Sequence, residues 1–340
     1  MILLELVSQI GLNPKWKAGT HGGEYSSECP SCGGEDRFFI QPNRRMKNCV
    51  GYYKCRQCEI SGDSIQFCID FLGYTFKEAV QRVGAKISET NLNYPQYKVN
   101  KFKPVKLIAP SAEWIDKAKV FVEWCHAEVW KYSDILTFLN KRGLPKDAII
   151  KYKIGYNPNT IFRDRSSWGL VEEKDEKGNT KKLWLPAGIV IPSIELNGDV
   201  TRLKIRRTDW NENDSIPKYI AVTGSMNGLN LIGDLNNRIM VIVESELDQF
   251  VLDYCVGDIA FFVAVGSNLK NPNYLVDDLA KKSKTLLICH DNDEAGKKMF
   301  QKWERLYSHS IAYPTPIGKD IGEAVERDFN IREWIMEITK

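Results

Sequence analysis

Read for its hydrophobic and polar positions, the chain changes period several times. Residues 37–41 and 51–54 are short alternating runs, the signature of half-buried strands. Over 63–83 apolar residues recur at helical spacing (Ile65, Cys68, Ile69, Leu72, Phe76, Ala79, Val80, Val83), interrupted at Gly73. Residues 86–112 lose all periodicity. They carry Pro95, Pro104 and Pro110 with Lys98, Lys101, Lys103 and Lys106, and read as a basic linker. Helical spacing returns over 113–139, with Trp114, Ala118, Phe121, Val122, Cys125, Val129 and Trp130 on one side, a stripe that reads as core. Around the turn Asn197-Gly198-Asp199, runs at 188–192 and 200–206 predict a hairpin.

From 237 onward strand and helix alternate. Apolar runs at 239–243, 259–265, 285–289 and 311–313 are separated by amphipathic stretches at 248–256, 272–284 and 294–308. That alternation predicts a parallel sheet covered on both faces, with function collecting at the carboxyl ends of its strands. A length of 340 residues exceeds one compact domain, so two or three are expected. Nothing approaches the roughly 20 consecutive apolar residues of a membrane span. Residues 1–4 lack a preceding basic region and meet Glu5 at once, which does not read as a signal peptide; a cytoplasmic location is the expectation.

Cysteine spacing supplies the first chemistry. Four of the nine cysteines form two C-x-x-C pairs, Cys29 with Cys32 and Cys55 with Cys58. Two residues between thiolates let both face one tetrahedral ion, and two such knuckles close a four-thiolate shell. With short strands between them this is a zinc ribbon, and a closed shell makes the zinc structural. Cys49 is a spare thiol nearby, His21 reads as a surface histidine, and Cys68, Cys125, Cys255 and Cys289 read as buried small hydrophobes. The ribbon also carries Arg37, Phe38, Phe39, Arg44, Arg45, Lys47, Tyr52, Tyr53, Lys54 and Arg56. Aromatics interleaved with cations suit single-stranded nucleic acid, whose bases stack while its phosphates are neutralised. For Phe38 and Tyr53 stacking on bases and filling a small core stand as alternatives.

Carboxylates supply the second. Glu244 ends the first strand of the C-terminal pattern, with Glu246 and Asp248 just beyond; Asp291 and Asp293 end the third, and Asp320 follows the fourth. Acids gathered from separate strands repel unless a cation neutralises them, and hard Mg²⁺ prefers oxygen ligands. Charge follows the same division: 237–340 holds 13 Lys and Arg against 17 Asp and Glu, the first 236 residues 34 against 27. An acidic metal site beside a basic polyanion track fits that asymmetry.

These motifs carry a resemblance. Cys29-Pro30-Ser31-Cys32, Asp36-Arg37-Phe38-Phe39, Tyr53-Lys54-Cys55 to Cys58 and Gly62-Asp63-Ser64-Ile65-Gln66-Phe67 resemble the zinc-binding domain of bacterial and phage DnaG-type primases. Val243-Glu244-Ser245-Glu246-Leu247-Asp248 and His290-Asp291-Asn292-Asp293-Glu294-Ala295-Gly296 are similar to the two Toprim signatures, with Ser245 where that family usually has glycine. Lys319-Asp320-Ile321-Gly322-Glu323-Ala324, Phe138-Leu139-Asn140-Lys141-Arg142-Gly143-Leu144, Ile154-Gly155-Tyr156 and Pro217-Lys218-Tyr219 are similar to further primase segments, so the resemblance covers most of 24–325.

The resemblance implies a multi-domain α/β chain: a zinc-ribbon template-recognition domain (1–85), a basic linker (86–112), a mixed α+β basic subdomain that is the N-terminal part of a catalytic core (113–236), and a Toprim parallel-sheet domain (237–340). It implies a DNA primase, a DNA-directed RNA polymerase making short RNA primers from nucleoside triphosphates on single-stranded DNA for replication. Glu244, Asp291, Asp293 and Asp320 would be catalytic, the first three, joined by Asp320, as ligands of two or more Mg²⁺ or Mn²⁺ ions. Lys204, Arg206, Arg207 and Lys218 would bind substrate, or form a solvated hairpin face. Arg37, Tyr53, Lys54, Lys141 and Arg142 would bind nucleic acid, with Lys151 and Lys153 following template phosphates. Without a G-x-x-x-x-G-K-[ST] loop, a separate replicative helicase is the expected partner. The chain stops soon after the Toprim pattern, so a phage, plasmid or mobile-element enzyme is expected, or one that finds its helicase another way. A Toprim nuclease and a non-catalytic zinc/Toprim recombination mediator are the rival readings.

Overall fold

The computed structural model describes residues 3–31, 36–47, 49–72, 74–85, 104–175, 178–266 and 271–339. They divide into two compact units, 1–105 with 267–272 and 106–266 with 273–340.

The first unit runs α1 (Leu3–Gln9), β1 (Lys15–Ala18), β2 (Glu24–Ser27), β3 (Phe38–Arg45), β4 (Val50–Cys55), β5 (Ser61–Asp63), α2 (Ser64–Leu72) and α3 (Phe76–Val83). The strands pair antiparallel in chain order. Register decides which side chains the sheet buries. Ile40 lies opposite Tyr53 and Phe38 opposite Cys55, all inward and fully buried, whereas Phe39 opposite Lys54 and Gln41 opposite Tyr52 point outward. Inside, Phe38 and Tyr53 meet at 5.3 Å between ring centroids, and Phe67 and Phe71 of α2 at 4.9 Å. Burial of one such ring stabilises by about 1.5–3 kcal/mol, at least as much as the hydrogen bond Tyr53 Oη donates to Asp70 at 2.7 Å. The pattern over 63–83 resolves into two helices, the second started by a reciprocal Thr75–Glu78 cap. Gly73, Cys32 and linker residues 86–103 lie outside the described residues.

The second unit opens with α4 (Ala112–Val129), α5 (Ser133–Lys141) and α6 (Lys146–Lys151). One helix was expected over 113–139; extended backbone at Tyr132 divides it in two. The end of the expected linker is tied down here: Asn227 accepts from the Ile108 N–H at 2.7 Å and donates to the Lys106 carbonyl. Next come β6 (Gly155–Asn157), β7 (Ile161–Asp164), β8 (Lys182–Leu185), β9 (Gly188–Ile194), β10 (Val200–Arg207) and β11 (Tyr219–Ala221). An antiparallel sheet in the order β11-β10-β9-β6 results, with β7 and β8 a separate pair. Trp114, Ala118, Phe121, Val122 and Cys125 of α4 pack with Val190, Leu203 and Ile205, so this stripe is core.

A second sheet follows, from β12 (Asn230–Gly233), β13 (Ile239–Val243), α7 (Glu246–Val256), β14 (Ala260–Ala264), α8 (Tyr274–Lys282), β15 (Thr285–Cys289), α9 (Glu294–Leu306), β16 (Ser310–Ala312), α10 (Ile321–Glu326) and α11 (Ile331–Met336). Its order is β12-β14-β13-β15-β16, parallel except for β12. The sheet therefore begins at Asn230, before the expected boundary at 237; four residues are too few for their period to show. Alternate residues serve two cores. Val241, Val243, Phe262 and Leu287 face α7, while Met240, Ile242, Phe261 and Ile288 face α8 and α9. No described helix is long and apolar enough to cross a membrane.

Tyr53→Phe keeps the buried ring and removes only its bond to Asp70. Denaturant unfolding should register a loss of about 1–2 kcal/mol.

Candidate metal centres

The ribbon places Cys29 just after β2, Cys55 at the end of β4 and Cys58 in the turn beyond it. Their sulfurs all lie within 4.8 Å of one another. Cys29 and Cys58 Sγ are 3.7 Å apart, against about 3.8 Å for two corners of a tetrahedron with zinc–sulfur bonds of about 2.3 Å. The backbone N–H of Ser31 points to Cys29 Sγ and that of Gln57 to Cys55 Sγ, both at 3.4 Å, which favours the thiolate form. This donor set fits a structural zinc. Cys32, the fourth ligand expected, lies outside the described residues. At Cys49 burial and Asp63 push the thiol up to about 11, so it remains protonated at neutral pH.

On the outward face of the ribbon, Arg56 lies 3.7 Å over the Phe39 ring and Arg44 4.3 Å over that of Tyr52. Arg37 and Lys54 are exposed beside them. Tyr53 requires correction. It is fully buried with its hydroxyl on Asp70, and no base can reach it. Tyr52, one residue earlier and on the opposite side of the strand, is the outward ring.

In the second unit the parallel strands bring acids to their carboxyl ends. Glu244 follows β13 and Asp291 follows β15; the Asp291 N–H donates to Glu244 Oε1 at 3.3 Å. Burial, then Glu244, Asp248 and Asp320, push the Asp291 carboxyl up to about 8. A carboxyl raised in this way marks acids crowded together, whose charge a proton or a cation relieves. Asp293 behaves differently. Burial opposes its charge, yet the Gly296 N–H it caps and Lys319 at 3.0 Å hold it below the usual range. Asp320 likewise caps α10, accepting from the Glu323 N–H at 2.8 Å, and receives Arg142. Among the described residues no three carboxylate side chains bring one oxygen each within 4.8 Å of one another. A hard cation on Glu244 and Asp291 would fill its remaining positions with water or phosphate oxygens, as magnesium ordinarily does.

Several expected ligand contacts are internal. Arg142 donates through Nη2 to Asp248 at 3.1 Å and Asp320 at 3.3 Å and is mostly buried, so its charge is already answered by acids and is not free for template phosphates. Lys204 is buried against Glu246 at 2.7 Å. Arg207 alternates to the other face of β10 from Arg206 and pairs with Asp209 and Asp214. Lys151 pairs with Asp253 and Lys153 with Glu123. Arg206 lies over Phe138 at 4.4 Å and Lys218 near Trp210 at 5.2 Å, both half-buried, and Lys141 is exposed. Burial, then Arg206 and Arg142, lower the Lys218 pKa, which places that ammonium in a cationic neighbourhood. Arg206, Lys218 and Lys141 stand apart from these ion pairs.

Comparison with known proteins agrees with this division. Residues 24–65 match the model described as the zinc-binding domain of primase-helicase, and 241–325 match a Toprim-like model. The chain resembles the DnaG-type primases. A DNA primase of Campylobacter jejuni is 29% identical over 117 residues, 34% of this chain and 17% of that protein. One of Buchnera aphidicola is 22% identical over 310 residues, 82% of this chain and 49% of its own length. The crystal structure of the Aquifex aeolicus primase, zinc-binding and RNA polymerase domains, has 21% identity and a TM-score of 0.51, covering all of this chain and 83% of that one. This likeness is one of fold. The chain spans about half the length of the curated DnaG-type primases that it matches along most of its own length.

Sequence reasoning passed over Asn292 and Arg142 as parts of the acid site. The Asn292 side chain donates to the Thr315 and Gly318 carbonyls at 2.8 and 2.9 Å, tying the Asp320 loop to the Asp291 turn. A sequence signal did exist for Ser245, Asp293 and Asp320, because each is followed by helix and stands at an N-cap.

Two outcomes follow. Cys55→Ser should lose the zinc by elemental analysis and, with it, the cooperative melting of the ribbon. Asp291→Asn should stabilise the protein in magnesium-free buffer, increasingly so as pH rises. The folded-state pKa exceeds the unfolded one, so the native state holds the extra proton and wild-type stability falls from about pH 4 to about pH 8. Thermal melts of both proteins at pH 5 and pH 8.5 measure it; an equal difference at the two pH values would contradict the shift.

Proposed function

We propose that this chain is a DNA primase, joining nucleoside triphosphates into short RNA primers on single-stranded DNA. The observation that carries the reading is the Glu244–Asp291 pair at the carboxyl ends of adjacent parallel strands, with the Asp291 acid raised by burial and by its neighbours. The names of the curated relatives and the matching order of ribbon and Toprim-like segments support it.

Glu244 and Asp291, with Asp293 alongside, would hold Mg²⁺ or Mn²⁺, which when bound polarises phosphate oxygens and lowers the pKa of a coordinated hydroxyl. Arg206 and Lys218 would receive the triphosphate and neutralise charge on the departing pyrophosphate as the ribose 3′-oxygen bonds the α-phosphorus. Phe138 fixes the Arg206 guanidinium by stacking, so little freedom is lost when it meets an anion. On the ribbon, the Phe39–Arg56 and Tyr52–Arg44 pairs would take template bases and phosphates. A separate replicative helicase would deliver the template.

Purified wild type with labelled nucleoside triphosphates, Mg²⁺ and unprimed single-stranded DNA should give short labelled oligomers. Glu244→Gln should reduce them on the order of 10²–10³-fold, the usual cost of losing a group that stabilises transition-state charge. Cutting of the DNA without synthesis would move the reading to a Toprim nuclease; binding with neither, even with helicase added, would favour a recombination mediator.

A further inference from the structure

We propose that Asp248 and Asp320 form a guanidinium site held shut by Arg142 and Ser245, so that the acid cluster takes one divalent ion at Glu244–Asp291. The inference rests on the proposed metal pair and deepens it. Six acids stand in the strand-end segments 244–248, 291–293 and 320, yet they are not equivalent.

Asp248 is buried and its oxygens are already used. Oδ1 accepts from Arg142 Nη2 at 3.1 Å and from the Gly322 N–H at 3.2 Å. Oδ2 accepts from Ser245 Oγ at 2.6 Å, and the same hydroxyl oxygen accepts from the Asp248 N–H at 3.2 Å. Asp320 Oδ1 accepts from Arg142 Nη2 and the Glu323 N–H. The guanidinium has a cut-out slot: a Cβ on Gly322 would stand 2.3 Å from Arg142 Cζ, so only glycine admits it. Arg142 Nε is buried with no hydrogen-bond partner, so two acids and a tight slot hold this head group despite that cost. A unit positive charge thus sits against both Asp248 and Asp320. For an ion to use Asp248, the guanidinium must leave Oδ1 or the Ser245 bond to Oδ2 must break, and the same guanidinium holds Asp320 Oδ1.

Ser245 is the residue at which this chain departs from the glycine usual in Toprim signatures. Its hydroxyl is therefore a feature of this chain, and removing it restores the simpler side chain at little cost to the helix it caps.

Mn²⁺ binding to the full, zinc-loaded chain, followed by electron paramagnetic resonance without nucleotide, separates the possibilities. Wild type should bind one ion well and a second more than tenfold more weakly. Ser245→Gly should tighten the second by about tenfold, the equilibrium worth of one hydrogen bond to a charged group, and leave the first unchanged. Arg142→Gln should tighten it further; should that variant fail to fold, Ser245→Gly alone decides. Two ions of matched affinity in wild type, no bound ion, or a second affinity untouched by Ser245→Gly overturns the proposal. Templated primer synthesis by a protein with two matched sites would leave the primase reading intact and remove only this inference. Loss of synthesis with the one-ion pattern preserved would do the reverse.

Discussion

Carboxylates brought together at the ends of parallel strands have to be neutralised, and the second unit is organised around three ways of doing so. Lys204 answers Glu246, Arg142 answers Asp248 and Asp320, and Lys319 answers Asp293. Glu244 and Asp291 lie together, the Asp291 N–H donating to Glu244 Oε1, with the Asp291 charge opposed by burial and by its acidic neighbours. Like charges in a low-dielectric setting cost several kcal/mol unless a proton or a cation intervenes.

The scaffold makes that distribution possible. β13 and β15 are adjacent and parallel, so their carboxyl ends, and the acids following them, emerge side by side. Each acid-bearing turn then enters a helix through a capped N-terminus, where unpaired N–H groups and the helix dipole favour negative charge. Asp293 and Asp320 are stabilised as anions in part by these caps, which also fix their direction. Asn292 fastens the turns to one another and so sets the spacing of the two halves of the cluster.

The ribbon solves a different problem with the same economy of parts. A sheet this small has one side for its core and one for a ligand, and strand alternation assigns every residue to one or the other. Phe38, Ile40 and Tyr53 go inward, where ring burial exceeds what the Tyr53 hydroxyl gains from water; Phe39, Tyr52 and Lys54 go outward. Arginines stacked on the two outward rings form a surface with both a flat face and positive charge.

Much of this was legible from the chain alone, because it is local. Thiolate spacing marks a zinc knuckle, since two intervening residues set the turn, and strand–helix alternation marks a parallel sheet with acids at its ends. The placement of Trp114, Phe121 and Cys125 in a core follows from helical spacing. What the sequence could not assign is which charges find one another across long separations. Arg142 meets Asp248 and Asp320, which lie 106 and 178 residues further on. Lys204 meets Glu246 42 residues away. No periodicity carries such pairings; they are decided when helices and strands dock and a buried ion must find a counter-ion or pay for desolvation. Cationic residues that look alike in sequence are therefore sorted by tertiary structure alone: Arg142, Lys204 and Arg207 into internal partners, Arg206 and Lys218 toward the site.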